Sequence, residues 1–100
     1  MDSSESRSAA VWFLLERALE KRRGAQRARR LAQSIATDQV AQDFTRYAAE
    51  LDVAACEIEE RACAIAETAE QHEPLHGDLA ALVAEARQRI AESSPFRAYR

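Results

Sequence analysis

From Val40 onward, apolar residues return at alternating four- and three-residue steps: Val40, Phe44, Tyr47, Leu51, Ala54, Ile58 and then Ile65, interrupted only by Arg61. A heptad of this kind holds one apolar stripe on one side of a continuous helix, as in a coiled coil, so the segment is expected to lie along another helix. A second stripe precedes it. Leu14, Ala18, Ala25, Ala28, Ala32 and Ile35 recur at helical spacing. Lys21 falls inside the series, where its stem can pack while its ammonium reaches water. A third stripe, Leu75, Leu79, Leu82, Ala86 and Ile90, lies near the C-terminus.

Polar and helix-breaking residues set the boundaries. Asp2 to Ser6 reads as a frayed lead-in with Ser4 or Ser6 as N-cap. The first helix then covers about residues 6–35. Ala36-Thr37-Asp38 forms the turn, with Thr37 or Asp38 accepting from the first free N–H groups of a helix over about 38–71. Pro74 pushes Glu73 out of the α region and ends that helix. A shorter helix follows over about 75–93, its acids Asp78 and Glu85 nearer the start and Arg87 and Arg89 nearer the end. Ser93-Ser94-Pro95 closes it. One helical domain over residues 1–95 and a short tail at 96–100 result.

The fold class is therefore all-α: an antiparallel three-helix bundle built on a long helical hairpin. Folding back at Thr37 brings residues whose numbers sum to about 73 face to face. Gly24 then meets Ala48 and Ala49, and the basic stretch Arg17 to Arg30 faces Asp43, Glu50 and Asp52. The third helix lies beside residues 57–71, with Arg87 and Arg89 approaching Glu59 and Glu60. Such surface pairs contribute under about 1 kcal/mol each but favour this arrangement over others. The N-terminal half of the first helix is apolar nearly all round, through Val11, Trp12, Phe13, Leu14, Leu15 and Leu19, so it needs more than one neighbour. The bundle should have a three-helix end and a two-helix end, the latter open to a partner. The central helix carries two contact faces. Its large residues are expected toward the first helix, and Ala48, Ala55, Ala62 and the Cys56/Cys63 line toward the third helix or a second protomer.

Composition strengthens the case for association. Of 100 residues, 47% are hydrophobic but only 6% aromatic, with two glycines and two prolines. Much of the apolar content is alanine, which favours helix yet buries little area, so a homodimer or a protein partner is expected. A net charge of −3 argues against a dedicated nucleic-acid binder. No run is long enough to span a bilayer. Ala9 to Leu15 is apolar, but Asp2 and Glu5 precede it and Glu16 follows, unlike a secretory leader. Cys56 and Cys63 stand roughly 10 Å apart along one helix, beyond disulfide reach, and fit reduced thiols in the cytoplasm.

Several residues are candidates for chemistry or contact. Arg22, Arg23, Arg27, Arg29 and Arg30, with Arg17 and Lys21, form a basic segment. It could contact phosphates, but without interleaved aromatics it reads better as a solvated face beside an acidic neighbour. Trp12 and Phe13, with Leu15 and Leu19, are either core or an oligomer contact. Cys56 and Cys63 sit among Asp52, Glu57, Glu59 and Glu60, which should raise their thiol pKa and suit packing better than reactivity. His72 and His76 have metal-pair spacing, but Pro74 and Gly77 break the helix between and after them, so no metal or other cofactor is expected. Glu59 and Glu60 are adjacent, diverge, and read as solvated. No phosphate loop, nucleophile elbow or catalytic His/carboxylate pattern is present, and an enzyme is not expected.

The stretch Ala25–Ile35, AQRARRLAQSI, followed after the turn by FTRYAAELDVAACEIEE at Phe44–Glu60, resembles short helical-hairpin proteins of alphaproteobacteria. The resemblance rests on Arg29, Arg30, Leu31, Ala32, Asp38, Phe44, Tyr47, Ala49, Glu50 and Leu51, within residues 25–60. It implies a helical hairpin and no activity. The functional expectation is a non-enzymatic interaction or regulatory protein acting through helical surfaces as a homodimer. The alternative is a small nucleic-acid-associated regulator using the basic face of the first helix.

Overall fold

A computed structural model describes residues 3–35 and 37–93, which form three α-helices, α1 (Ser3–Ser34), α2 (Asp38–Glu70) and α3 (Gly77–Ser93), and the segments joining them. α1 and α2 form the antiparallel hairpin, and α3 folds back mainly against α2. The molecule is a thin plank of 54 × 34 × 17 Å, with a radius of gyration of 16.3 Å. A compact chain of this length would have about 13 Å. A body this thin encloses little interior, in keeping with its alanine content.

Boundaries follow local chemistry. α1 begins at Ser3, ahead of the expected start, so Ser6 lies inside it and caps nothing; no glycine or proline precedes it to stop the helix. Thr37, at φ −93° and ψ 127°, is extended and breaks the helix. Its side chain makes no capping bond, contrary to expectation; its carbonyl instead accepts from the Ala41 N–H at 3.1 Å and starts α2. Asp38 in the first turn of α2 supplies a favourable charge to the helix dipole. α2 closes when the His72 and Glu73 N–H groups both bond the Ala69 carbonyl at 3.0 Å. α3 starts two residues later than the apolar pattern suggests, because Gly77 has φ +60° and interrupts any helix begun at Leu75. Leu75 still packs on the core from outside the helix. The Ala36 turn position, the Ser94-Pro95 stop and the tail at 96–100 lie outside the described residues.

The seam between α1 and α2 differs from the expected one. Three lines run along α2, each about 40° further round the helix than the last. Val40, Tyr47 and Ala54 form the first, Phe44, Leu51, Ile58 and Ile65 the second, and Ala48, Ala55, Ala62 and Ala69 the third. Burial rises across them. Val40 is 41% and Tyr47 52% exposed, the second line is half-buried apart from Ile58, and all four alanines are buried. The small residues thus face α1, where they were not expected, together with the expected Phe44, Leu51 and Ile58, while Val40 and Tyr47 turn outward. Ala18 packs with Ala55 and Ile58, and Ala25 and Ala28 pack with Ala48. Alanine against alanine allows close approach of two helices joined by so short a turn, whereas Tyr47 at the centre would hold them apart.

Gly24 joins this close approach. A Cβ there would lie 3.2 Å from Leu51 Cδ1, so Gly24 meets Leu51; Ala48 packs with Ala25, and Ala49 is exposed. At the other end Val11, Leu15, Ala62, Cys63, Ala66, Val83 and Ala86 form the largest core cluster, with residues from all three helices. The expected three-helix end and two-helix end are both present.

Candidate interaction surface

Alternating charges cross the helices on the flank that α3 covers. Arg29 donates from Nη2 to Asp52 Oδ2, and the other Asp52 oxygen lies 3.9 Å from Arg22 Nη1. Arg22 donates to both Glu59 oxygens, from Nε at 3.1 Å and from Nη2 at 2.5 Å. Arg89 of α3 donates from Nε to Glu59 Oε2 at 2.7 Å. The Glu59 side chain is fully buried, correcting its assignment to a solvated face. A buried carboxylate must be paired and hydrogen-bonded, and one arginine from each flanking helix does this. Hydrogen bonding to Glu59 raises the Arg22 pKa above the usual guanidinium value, against the opposing effect of burial. Arg87, expected with Arg89 beside Glu59 and Glu60, lines one hollow with Glu60 and donates to Glu70 at 2.5 Å, a bond that lowers the Glu70 pKa.

The network removes two residues from the candidate basic surface, since Arg22 and Arg29 are engaged internally. Asp43 contacts Arg46 and Gln39 of its own helix rather than the basic stretch of α1. Arg23, Arg27 and Arg30 are exposed and make no ion pair among the described residues. Steps of four and three residues place them on one line of α1, opposite the buried Ala18 and Ala25. Continued toward the N-terminus, that line meets Glu16 and Glu20, exposed and equally without ion pairs among the described residues. The outward face of α1 thus carries two acids and then three bases. Reading the arginines by type gave a basic patch, and only the full stripe shows the sign reversal.

The apolar candidates divide as well. Leu15 belongs to the core and is almost wholly covered at the three-helix end. Trp12 and Leu19 are each 38% exposed and Phe13 60%. Arg17 lies over the Phe13 ring at 5.8 Å from its centroid. Two shallow hollows flank the Glu16–Leu19 ridge. One, between α1 and α3, has Trp12, Leu15, Leu19, Ala81 and Leu82 as its floor and Glu16, Asp78 and Glu85 at its edge. The other runs along α1 past Phe13, Arg17, Glu20 and Arg23.

The cysteines separate too. Cys63 is in the core, and desolvation raises its thiol pKa first of all. Cys56 is half-buried and its Sγ donates to Glu60 Oε1 at 3.6 Å. His72 and His76 are exposed and stand outside the helices, between α2 and α3. Among the described residues no three His, Cys, Asp or Glu side chains are grouped so as to hold a metal ion, and no helix is long and apolar enough to cross a membrane. No family model, no curated protein and no solved structure matches the chain.

Proposed function

We propose that this is a non-enzymatic interaction or regulatory protein that works by presenting helical surface, and that it does so as a homodimer. The observation that carries the reading is the outward face of α1. There Trp12, Phe13 and Leu19 are exposed beside five charged side chains that have no ion partner among the described residues. A chain 17 Å thick has little core of its own, and apolar surface edged by charge is where such a chain gains from association. Two free cysteines suit a reducing compartment, the cytoplasm. Sedimentation velocity across about 1–100 μM, a span that brackets Kd values of micromolar complexes, should show a reversible dimer. A monomer throughout that range rejects the homodimer.

A second reading has its own support in Arg23, Arg27 and Arg30, which lie along one helical line without acidic partners among the described residues. In it the chain is a small nucleic-acid-associated regulator. Anisotropy with a short DNA duplex should then show binding at low salt, with a log–log salt slope near −3 for about three phosphate contacts. Absence of binding at low salt removes this reading.

A further inference from the structure

We infer that two copies of this chain associate through α1 against α1, antiparallel, about a two-fold axis passing between Lys21 and Arg22. The inference rests on the homodimer reading above and specifies its surface. An isologous contact must be self-complementary, because the same patch meets itself reversed. The outward line of α1 meets that condition: Glu16 and Glu20 precede the axis, and Arg23, Arg27 and Arg30 follow it. Reversal about that axis sets Glu20 opposite the partner's Arg23 and Glu16 opposite the partner's Arg27, each pair occurring twice. It also brings Trp12 and Phe13 beside the partner's Arg30 and Leu31, where an aromatic ring can take the guanidinium on its face.

All of these side chains are exposed, and none of the five charged ones has an ion partner among the described residues. Alone, α1 sets like charges at neighbouring helical positions, Glu16 with Glu20 and Arg23 with Arg27, an arrangement unfavourable to a free helix. A second copy offsets both repulsions by placing an opposite charge against each of these four residues. A parallel pairing would set acid on acid and base on base. The hollow between α1 and α3 adds acidic Asp78 and Glu85 on the side where the partner's arginines arrive. A polyanion could satisfy the three arginines but not Glu16 and Glu20, which lie on the same line. A second copy gives Glu16, Glu20, Arg23 and Arg27 opposite charges and sets Arg30 beside an aromatic side chain.

Charge exchange tests the register. Glu20→Arg sets arginine against the partner's Arg23, and Arg23→Glu sets glutamate against the partner's Glu20. Each single variant should weaken the dimer by at least about tenfold, since like charges facing across an interface repel strongly. Far-UV circular dichroism should show unchanged helix, because neither side chain has an ion-pair partner in the monomer among the described residues. An equimolar mixture of the two variants restores opposite charges at both of these contacts, and should sediment as a heterodimer with near wild-type affinity. Dimers that persist with wild-type affinity in both single variants overturn the α1 register while leaving the homodimer standing, as does a mixture that stays monomeric. A wild-type monomer at about 100 μM, far above the Kd of a micromolar complex, overturns both. Monomeric wild type that binds duplex DNA and loses it on Arg23→Glu assigns the arginines to nucleic acid instead.

Discussion

Replacing Arg22 and Arg89 by methionine, singly and together, isolates what it costs to leave the Glu59 carboxylate without a partner inside the bundle. In either single variant the carboxylate keeps one guanidinium: Arg89 Nε at 2.7 Å, or the two bonds from Arg22 at 3.1 and 2.5 Å. Both arginine side chains are partly exposed, so their bonds compete with water, and each single change should cost only about 1 kcal/mol. The double variant leaves a fully buried carboxylate with no cation. That cost should reach about 3–5 kcal/mol in total, exceeding the sum of the singles by about 1–3 kcal/mol. Adding Glu59→Leu to the double variant removes the orphan charge and should recover most of the loss. Urea unfolding followed at 222 nm, with a common osmolyte in every sample so that the weakest variant still folds, measures all four. Singles that add to the double within about 0.5 kcal/mol would refute the bridging role of Glu59.

Four other outcomes are expected. Gly24→Ala gains about 1 kcal/mol of helix propensity and meets the flexible ends of half-buried Leu51 at 3.2 Å and exposed Arg27 at 3.7 Å, so thermal melting should rise by a few degrees. Ala55→Leu overpacks the alanine seam and should destabilise by about 1–3 kcal/mol, whereas Tyr47→Ser should cost under about 1 kcal/mol because half of that residue is already in water; the reverse order in urea titrations would restore the simple heptad. Burial raises the folded-state pKa of Cys63, so its share of stability is complete below the ordinary thiol range and falls as pH rises through the raised value. Wild type should therefore lose more than Cys63→Ala between neutral and mildly alkaline pH, and Cys63 should resist alkylation until urea unfolds the chain. The Glu70 pKa is lowered by Arg87, so its contribution is present above the ordinary carboxylate range and disappears as pH falls through the lowered value. Arg87→Gln should flatten that acid limb slightly, the effect being small because the pair is exposed.

Much of the fold is legible in the chain because it is written in local terms. Alanine content, scarce glycine, Pro74 and the three apolar stripes determine three helices and two reversals, and a short turn makes α1 and α2 antiparallel. Which stripe is the seam is less legible. Val40, Tyr47 and Ala54 fit a heptad as well as the alanines do, since periodicity records spacing and not how closely two axes approach. Glu16, Glu20, Arg23, Arg27 and Arg30 were readable in principle, being one helical line, but their significance depends on which arginines the interior consumes. Sequence alone groups Arg22 and Arg29 with Arg23, Arg27 and Arg30.

By itself, then, the sequence determined the helices, their order, the antiparallel hairpin and the alanine lines on both partners. Tertiary structure decided that alanine meets alanine, that α3 covers one flank, and that Glu59 is buried while Glu16 and Glu20 are not. The physical reason is one of range. A helix forms from hydrogen bonds and propensities within a few residues, whereas a carboxylate is stable in the interior only if cations distant in sequence arrive beside it. Arg22 and Arg89 come from two other helices; the fold-back at Pro74 brings Arg89 to Glu59 as the sequence suggests, but nothing around Glu59 points to Arg22.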